Sequence, residues 1–289
     1  MTELQKVIFS IFLEVKKLCE ENDITYYGIA GTCLGAVRHK GFIPWDDDLD
    51  ISVPIEEFDR FLALAKEKLP DYLEIVTYHD HPHFPRMFAR VTDKRTSYVQ
   101  YYMKYYPDEY HGVFIDVMPM TGKPAGIAGK IFEKKALWYD YLTQQTMCLF
   151  RDNKELREKL SWLVLKCFFF LPEHYFLEKW EAELRKHPVK GSKEILFAWN
   201  AKVRYRTFPA EVFEKYNELE FEGETVRFPA DTDIYLKTEY GDYMKLPPEE
   251  KRVGHHDGRV SLTVPCAVFA QKMRKKLASY TGGNTRSMH

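Results

Sequence analysis

The sequence predicts a mixed α/β (α+β) fold, because amphipathic helices and short apolar strands follow one another over the first 120 residues. Residues 1–22 carry apolar side chains at helical spacing on one face and charged side chains on the other. Residues 24–30 are rich in β-branched and aromatic side chains, which is typical of a strand. Gly31 and Thr32 then begin a short helix that ends at Gly41.

Strands cluster in the next part of the chain. Residues 46–53 predict a second strand that Pro54 stops, and residues 55–69 predict a helix with one apolar stripe. Further strands are predicted at residues 73–78, 87–92, 96–102 and 113–118. Up to about residue 120, the sequence therefore predicts helices early and strands after them.

The remainder of the chain is predicted to be helical first and mixed afterwards. Residues 127–187 show helical periodicity with few glycines, and Pro172 divides them into at least two helices. Residues 218–228 predict a hairpin that turns at Gly223, and residues 231–241 predict a helix capped by an aspartate. We divide the chain into a core at 1–124, a helical region at 125–200, a C-terminal segment packing on the core at 201–280 and a flexible tail at 281–289.

Charge and cysteine content exclude several classes of protein. Lysine plus arginine number 42 and aspartate plus glutamate number 43, so the chain lacks the basic excess of a protein that wraps nucleic acid. The five cysteines are scattered without a CxxC pair. This spacing indicates reduced thiols rather than a disulfide framework or a cysteine-bound zinc ion.

The sequence predicts a cytoplasmic protein, because residues 1–21 lack the cationic start and apolar block of a secretory signal. The longest apolar run, residues 163–171, is interrupted by Lys166 and is shorter than the roughly 20 residues of a membrane-spanning helix. Residues 162–170 are expected to form a buried helix, with peripheral contact at the inner face of a membrane as the alternative.

The most informative segment holds four aspartates within five positions, at Asp46, Asp47, Asp48 and Asp50. Such a cluster cannot stay ionised in a pocket without a cation. Residues two apart in a strand point to the same side, so Asp48 and Asp50 are expected to project together while Leu49 faces the core. Carboxylate oxygens on a rigid strand suit Mg²⁺ or Mn²⁺, and the segment therefore predicts a metal site.

A third carboxylate, Asp116, stands alone in the apolar run 113–118. An isolated ionised carboxylate in a buried strand costs roughly several kcal/mol unless it has a charge partner. A metal ion shared with Asp48 and Asp50 is the partner that we expect. The alternative interpretation is that Asp116 lies at a sheet edge and caps a loop.

Gly31 and Thr32 precede the acids by the distance that a turn between two strands needs. Glycine lets backbone N–H groups approach a phosphate closely, and the start of the following helix adds a positive dipole end. Arg38 and Lys40 lie between this turn and the acids and could hold phosphate oxygens. The alternative is that both are surface charges on a short helix.

Histidines occur in two groups. His79, His81 and His83 are interpreted as a polar loop, because no partners for a zinc ion are evident on rigid elements. His255 and His256 follow a basic pair and could line a donor pocket.

Aromatic residues make up 15% of the chain, which is typical of a large core or of a surface that stacks on sugars or bases. Tyr26, Tyr27 and Trp45 flank the acidic segment. Stacking on a base, caging of a quaternary ammonium group and core packing are all open for these three side chains.

Residues 26–53 resemble the signature of the LicD/fukutin-type family within the nucleotidyltransferase superfamily, through the Gly-Thr pair and the Asp-Asp-Asp-Leu-Asp run. The resemblance continues in residues 90–96, 112–116 and 236–248, the last with a Tyr-Gly-Asp and a Pro-Pro motif. It touches most of the chain, although residues 125–200 contribute little. The superfamily commonly has Gly-Ser where this chain has Gly-Thr, and both pairs carry a hydroxyl.

The resemblance implies a nucleotidyltransferase fold with a mixed sheet, a helical insertion and a C-terminal mixed extension. It also implies a phosphotransferase that takes a phospho-alcohol, commonly phosphocholine, from a CDP-linked donor such as CDP-choline. The acceptor would be a hydroxyl of a cell-surface glycan or its lipid-linked precursor, and CMP would leave. By this resemblance the catalytic metal ligands are Asp48, Asp50 and Asp116. The donor-binding residues are then Gly31, Thr32, Arg38, Lys40, His255 and His256.

Two other interpretations remain open. One is a nucleotidyltransferase that moves NMP from an NTP to a small-molecule or sugar acceptor and releases pyrophosphate. The other is a non-catalytic nucleotide-binding module, which the presence of all three acids argues against. Asp48, Asp50 and Asp116 are equal candidates for the group that accepts the proton of an acceptor hydroxyl.

Overall fold

The structure, a computed structural model, describes residues 1–100, 103, 106, 109, 111–147, 171–172, 174–197, 207–254 and 258–280. The helices are α1 Glu3–Glu21, α2 Ala30–His39, α3 Ile55–Lys68, α4 Gly126–Met147, α5 Tyr175–Leu184, α6 Thr232–Tyr240 and α7 Cys266–Tyr280. The strands are β1 Tyr27–Gly28, β2 Asp50–Pro54, β3 Leu73–Val76, β4 Ala89–Asp93, β5 Ser97–Gln100, β6 Val113–Lys123, β7 Glu194–Phe197, β8 Thr207–Pro209, β9 Tyr216–Phe221, β10 Glu224–Pro229 and β11 Gly258–Ser261.

A seven-stranded mixed sheet organises the molecule. Its order is β1-β2-β6-β4-β3, and β7 and β8 continue it from β6. Strands β2 and β6 run parallel, whereas the other pairs of this sheet are antiparallel. The long strand β6 thus lies in the middle of the sheet, with β2 and β4 as neighbours. The predicted α/β fold with a mixed sheet is confirmed.

Helix α1 connects the packing of the core to the acidic segment. Its apolar face, including Ile8 and Phe12, is completely buried. At its start, Gln5 Oε1 accepts a hydrogen bond from Thr2 N at 2.8 Å. The amide nitrogen of Gln5 donates to Ile43 O at 3.1 Å and to Asp46 O at 3.0 Å. One buried side chain therefore caps the helix and fixes the backbone that leads into the aspartates.

The strand prediction for residues 46–53 is wrong at its beginning, because β2 starts only at Asp50. Gln5 from α1 holds the preceding backbone at Ile43 and Asp46, and only Leu49 O, directly before the strand, accepts a hydrogen bond from β6, from Asp116 N at 3.1 Å. The strand predicted at residues 24–30 is shorter in the structure and spans only Tyr27–Gly28. These two residues pair with Ser52 and Ile51 of β2, and α2 begins two residues later. Helices α1, α2 and α3 agree with the predictions.

The predicted hairpin and the helix capped by Asp231 are both confirmed. Strands β9 and β10 pair in antiparallel register around Gly223, and Asp231 accepts a hydrogen bond from Ile234 N at 2.9 Å. Phe221 and Phe228 from the hairpin belong to the same buried cluster as the sheet and α1. The sequence analysis did not predict β7, β8, β11 and α7, which are short or have little periodicity.

Among the described helices, none combines the length and the apolar character that crossing a bilayer requires. The segment 162–170, for which a membrane contact was one interpretation, lies outside the described residues. The flexible tail predicted at 281–289 lies outside them too.

Replacing Gln5 by leucine is expected to lower the free energy of unfolding by about 1–3 kcal/mol, because two buried carbonyl groups lose their donor. Urea denaturation followed by circular dichroism measures this change. The exposed neighbour Lys6 provides the control, since Lys6→Gln should change stability by no more than about 0.5 kcal/mol. Equal stability of the Gln5 variant and the wild type would contradict the role assigned to this side chain.

Candidate active site

Two carboxylates and one guanidinium lie in a row across the middle of the sheet. Asp50 on β2 is in register with Asp116 on β6, and Asp116 is in register with Arg90 on β4. Residues opposite one another in neighbouring strands point to the same face. Their chain neighbours Ile51 and Val117 therefore point to the other face, where both are completely buried. The sheet has one apolar and one charged face at this point.

Arg90 is the charge partner of Asp116. Its Nε donates to Asp116 Oδ1 at 2.7 Å, and its Nη1 donates to Gln100 Oε1 at 2.6 Å. The guanidinium carbon also lies 3.8 Å from the ring centroid of Phe114. The sequence analysis expected a metal ion shared with Asp48 and Asp50 as the partner of Asp116; the structure adds Arg90 as a partner, and the metal ion stays a prediction. The alternative of a sheet edge is wrong, because β6 lies between β2 and β4.

Three further carboxylates lie in front of β2. One carboxylate oxygen from each of Asp46, Asp47 and Asp48 lies within 4.8 Å of the others. Asp46 is buried, and Tyr98 donates its hydroxyl hydrogen to Asp47 Oδ2 at 3.2 Å. Asp48 precedes the strand, so strand alternation with Asp50 does not apply to it. The two carboxyl groups nevertheless interact, since the negative charge of Asp48 raises the pKa of Asp50.

The carboxyl group of Asp50 has a strongly raised pKa. Burial raises its pKa well above the usual range, and the negative charges of Asp48 and Asp116 raise it further. Its Oδ1 is buried and has no hydrogen-bond partner among the described residues. An unpaired oxygen among several carboxylates fits a hard divalent cation such as Mg²⁺ or Mn²⁺, which binds oxygen ligands. The residues present therefore suit the metal ion that the sequence predicts.

The first turn of α2 packs directly against the acidic segment. Ala30 adopts φ +48°, a left-handed conformation that an alanine adopts only under strain. Thr32 Oγ1 accepts a hydrogen bond from Asp50 N at 2.9 Å. A Cβ atom at Gly31 would lie 2.7 Å from Asp46 Oδ2, so only glycine fits beside this carboxylate. At the start of this first turn of α2, Ala30 N donates to the Tyr235 hydroxyl at 2.9 Å, and the turn thus lies next to the acidic segment.

The two basic residues of α2 have different surroundings. Arg38 is half-buried, and its Nη1 donates to Tyr243 O at 3.0 Å, while its Nε has no partner among the described residues. Lys40 is exposed and forms an ion pair with Glu220 at 3.2 Å. Gly31 and Lys40 lie at opposite ends of the helix, about 14 Å apart along its axis. The side chain of Lys40 therefore contacts the β9–β10 hairpin and does not lie among the aspartates.

The C-terminal segment covers the acids from another side. Tyr240 at the end of α6 has a buried hydroxyl group, although 42% of the residue surface is exposed. This burial and the negative charges of Glu239 and Asp50 raise the pKa of Tyr240. A Cβ atom at Gly254 would lie 2.6 Å from Asp47 Oδ2, so this backbone also touches the acidic segment. His255 and His256 follow Gly254 but lie outside the described residues, and their donor-binding role stays a prediction.

The three aromatic residues near the acids divide into two groups. Tyr26 and Tyr27 are 0% and 2% exposed, so both are core residues. Trp45 is half-buried and lies beside Arg252, whose guanidinium carbon is 5.7 Å from a ring centroid of the tryptophan. Of the three, only Trp45 has a side chain that a ligand can reach.

Sequence reasoning missed Arg90, Gln100 and Tyr240 as parts of the site. Arg90 gave one detectable signal, since it is a lone charge inside the apolar run 87–92 that was predicted as a strand. A charge in that position needs a buried partner, just as Asp116 does. Tyr240 belongs to the Tyr-Gly-Asp motif of the family resemblance but was not assigned to the site, and Gln100 gave no signal.

Comparison with known proteins agrees with this site. Residues 23–147 match the family described as LicD/FKTN/FKRP, nucleotidyltransferase domain. The chain is similar to the lipopolysaccharide cholinephosphotransferase LicD of Haemophilus influenzae, with 28% identity over 267 residues that cover 89% of this chain and 96% of that protein. Uncharacterized proteins of Rickettsia typhi and Rickettsia prowazekii are 38% and 44% identical over 60 and 50 residues, which cover 21% and 17% of this chain and 19% of each relative. Residues 23–147 are thus similar to the nucleotidyltransferase domain of the LicD/FKTN/FKRP family, and the similarity to the Haemophilus influenzae protein extends over most of the chain.

Proposed function

We propose that this chain is a phosphotransferase that moves a phospho-alcohol, with phosphocholine as the first candidate, from a CDP-linked donor to a hydroxyl of a glycan. The acceptor is a cell-surface glycan or its lipid-linked precursor, reached at the inner face of the membrane, and CMP is released. The match of residues 23–147 to the LicD/FKTN/FKRP nucleotidyltransferase domain and the similarity to a lipopolysaccharide cholinephosphotransferase support this proposal. The observation that carries it is the row of Asp50 and Asp116 beside the strained first residue of α2, Ala30.

Asp48, Asp50 and Asp116 would hold Mg²⁺ or Mn²⁺ through their carboxylate oxygens. The bound ion would supply positive charge against the charge that develops on phosphate oxygens. The unpaired Oδ1 of Asp50 supports this assignment, as does the crowding of the three carboxylates in front of β2.

The remaining residues position and orient the reacting groups. Arg90 holds Asp116 in place, and Thr32 holds the first residue of β2. The first turn of α2 provides backbone N–H donors for the donor phosphates, and Arg38 lies further along the same helix. The acceptor hydroxyl attacks the phosphorus distal to the cytidine in line with the leaving CMP. A carboxylate from the acidic segment accepts the hydroxyl proton.

Donor choice is tested by incubating the protein and Mg²⁺ with CDP-choline in one series and with CTP or ATP in another. Release of CMP from CDP-choline in the presence of a choline-free glycan acceptor is expected, and chromatography of the nucleotides measures it. Release of pyrophosphate from CTP or ATP, without CMP from CDP-choline, would instead establish a nucleotidyltransferase.

Asp48→Asn and Asp50→Asn are each expected to reduce CMP release by at least about 100-fold, because the site loses a ligand and a negative charge. The exposed Asp71, converted to Asn, is the matched control and should retain full activity. Initial rates with CDP-choline at saturating Mg²⁺ provide the measurement. Activity of the Asp50 variant within a few-fold of the control would refute the assignment.

Asp50→Asn is also expected to stabilise the protein in the absence of divalent ions at pH 7. Burial raises the pKa of Asp50, so the folded state binds a proton that the unfolded state has released. The stability of the wild type therefore falls as pH rises above about 4, the usual carboxylate value, until the raised pKa is passed. The variant lacks this decrease.

Melting temperatures between pH 4 and pH 8 in a chelating buffer measure the difference. Added Mg²⁺ should raise the melting temperature of the wild type but not of Asp50→Asn, because only the wild type keeps all ligands. Parallel pH profiles of the two proteins without Mg²⁺ would show that Asp50 does not carry the raised pKa.

A further inference from the structure

A second group of potential metal ligands lies near the other end of β4 and β6. His81 follows β3, whereas Glu109 and His111 precede β6. One ligand atom from each of these three residues lies within 4.8 Å of the other two. Glu109 and His111 are 5% and 2% exposed, and the side chain of His81 is 18% exposed. Residues 79–83 lie in the loop between β3 and β4, as predicted, but the sequence did not reveal that His81 meets Glu109 and His111 there.

The distances within this group are those of a coordination shell. His81 Nδ1 lies 3.2 Å from Glu109 Oε2. Two ligands of a tetrahedral zinc ion, each about 2.05 Å from the metal, lie about 3.3 Å apart. The pair thus has the spacing of two zinc ligands, and one ring nitrogen of His111 lies within 4.8 Å of both ligand atoms.

His111 supplies an independent observation. Its Nε2 is buried and has no hydrogen-bond partner among the described residues. Buried polar groups in proteins are almost always paired, so an unpaired imidazole nitrogen in a group with a carboxylate and a second imidazole indicates a missing ligand. The rings of His81 and His111 meet edge to face, with centroids 5.2 Å apart.

A further carboxylate, Glu74, lies beside His81 on the side away from Glu109, as is common for a histidine that binds a metal ion. Glu74 Oε1 lies 3.9 Å from His81 Nε2, the ring nitrogen on the side away from Glu109. Histidines that bind a metal through one nitrogen commonly present the other to a carboxylate. Glu74 on β3 is placed to orient His81 in this way.

We propose that His81, Glu109 and His111 form a binding site for a divalent transition-metal ion, with Zn²⁺ as the preferred ion. Two imidazole nitrogens and one carboxylate oxygen suit zinc, whereas Mg²⁺ prefers a shell made of oxygen atoms. The site is separate from the aspartates in front of β2 and needs none of them. It joins the loop after β3 to the chain segment before β6.

The ion would also restrict the surroundings of the Arg90–Asp116 ion pair in the candidate active site. Phe84 contacts both His111 and Arg90, because its ring centroid lies 6.2 Å from that of His111 and 5.4 Å from the guanidinium carbon of Arg90. Arg90 in turn holds Asp116. A metal ion that fixes His111 therefore restricts the loop that packs against Arg90.

The test uses the full chain, stripped with a chelator and then titrated with Zn²⁺ in saturating Mg²⁺, so that the aspartates are occupied. Calorimetry is expected to show one Zn²⁺ bound per chain. His81→Gln and His111→Gln should each weaken binding by at least about 100-fold, since loss of an outer partner alone weakens metal sites by 10–100-fold. His79→Gln is the matched control, because this exposed histidine of the same loop pairs with Glu181 and should leave binding unchanged.

Co²⁺ provides a second readout that does not depend on the variants. Four-coordinate Co²⁺ bound to imidazole absorbs strongly in the visible range, and the wild type and the His79 variant are expected to show this band. If His111→Gln does not fold, His81→Gln and the Co²⁺ spectrum decide. Absence of Zn²⁺ binding in saturating Mg²⁺, or unchanged binding by His81→Gln, would overturn the proposal and leave a hydrogen-bonded cluster only.

Discussion

The structure of the site depends on how the sheet accommodates negative charge in its middle. Asp50 and Asp116 lie side by side on parallel strands, and both are nearly buried. Arg90 offsets one of these charges through a direct ion pair. The other carboxylate keeps an unpaired oxygen and a raised pKa. Two buried carboxylates with one guanidinium leave one negative charge uncompensated. Asp50 therefore needs a bound proton or a bound cation.

The surrounding elements fix the acids rather than neutralise them. Gln5 holds the backbone before the acidic segment, and Thr32 accepts from the N–H of the first residue in β2. Tyr98 donates to Asp47. These contacts come from three different elements, so the positions of the carboxylates are set before any ligand arrives. Such preorganisation is what a site for phosphoryl transfer requires, because positioning and electrostatics supply most of its catalysis.

The C-terminal segment packs against the acidic segment. Helix α6 brings the Tyr240 hydroxyl close to the acids, and Gly254 touches Asp47. The hairpin β9–β10 joins the main core through Phe221 and Phe228. Residues more than 180 positions apart in the chain therefore build one site. Local patterns in the sequence revealed the helix and the hairpin but not where they pack.

The sequence by itself determined the early helices, the hairpin, the mixed α/β class and the acidic residues, because periodicity and turn residues are local signals. It also marked Asp116 as a buried charge in need of a partner. Only the tertiary structure decided that the partner is Arg90 and that β2 begins at Asp50. It also decided that His81 meets His111. Strand register and loop packing depend on contacts between distant segments, and a linear pattern carries no record of which segments become neighbours.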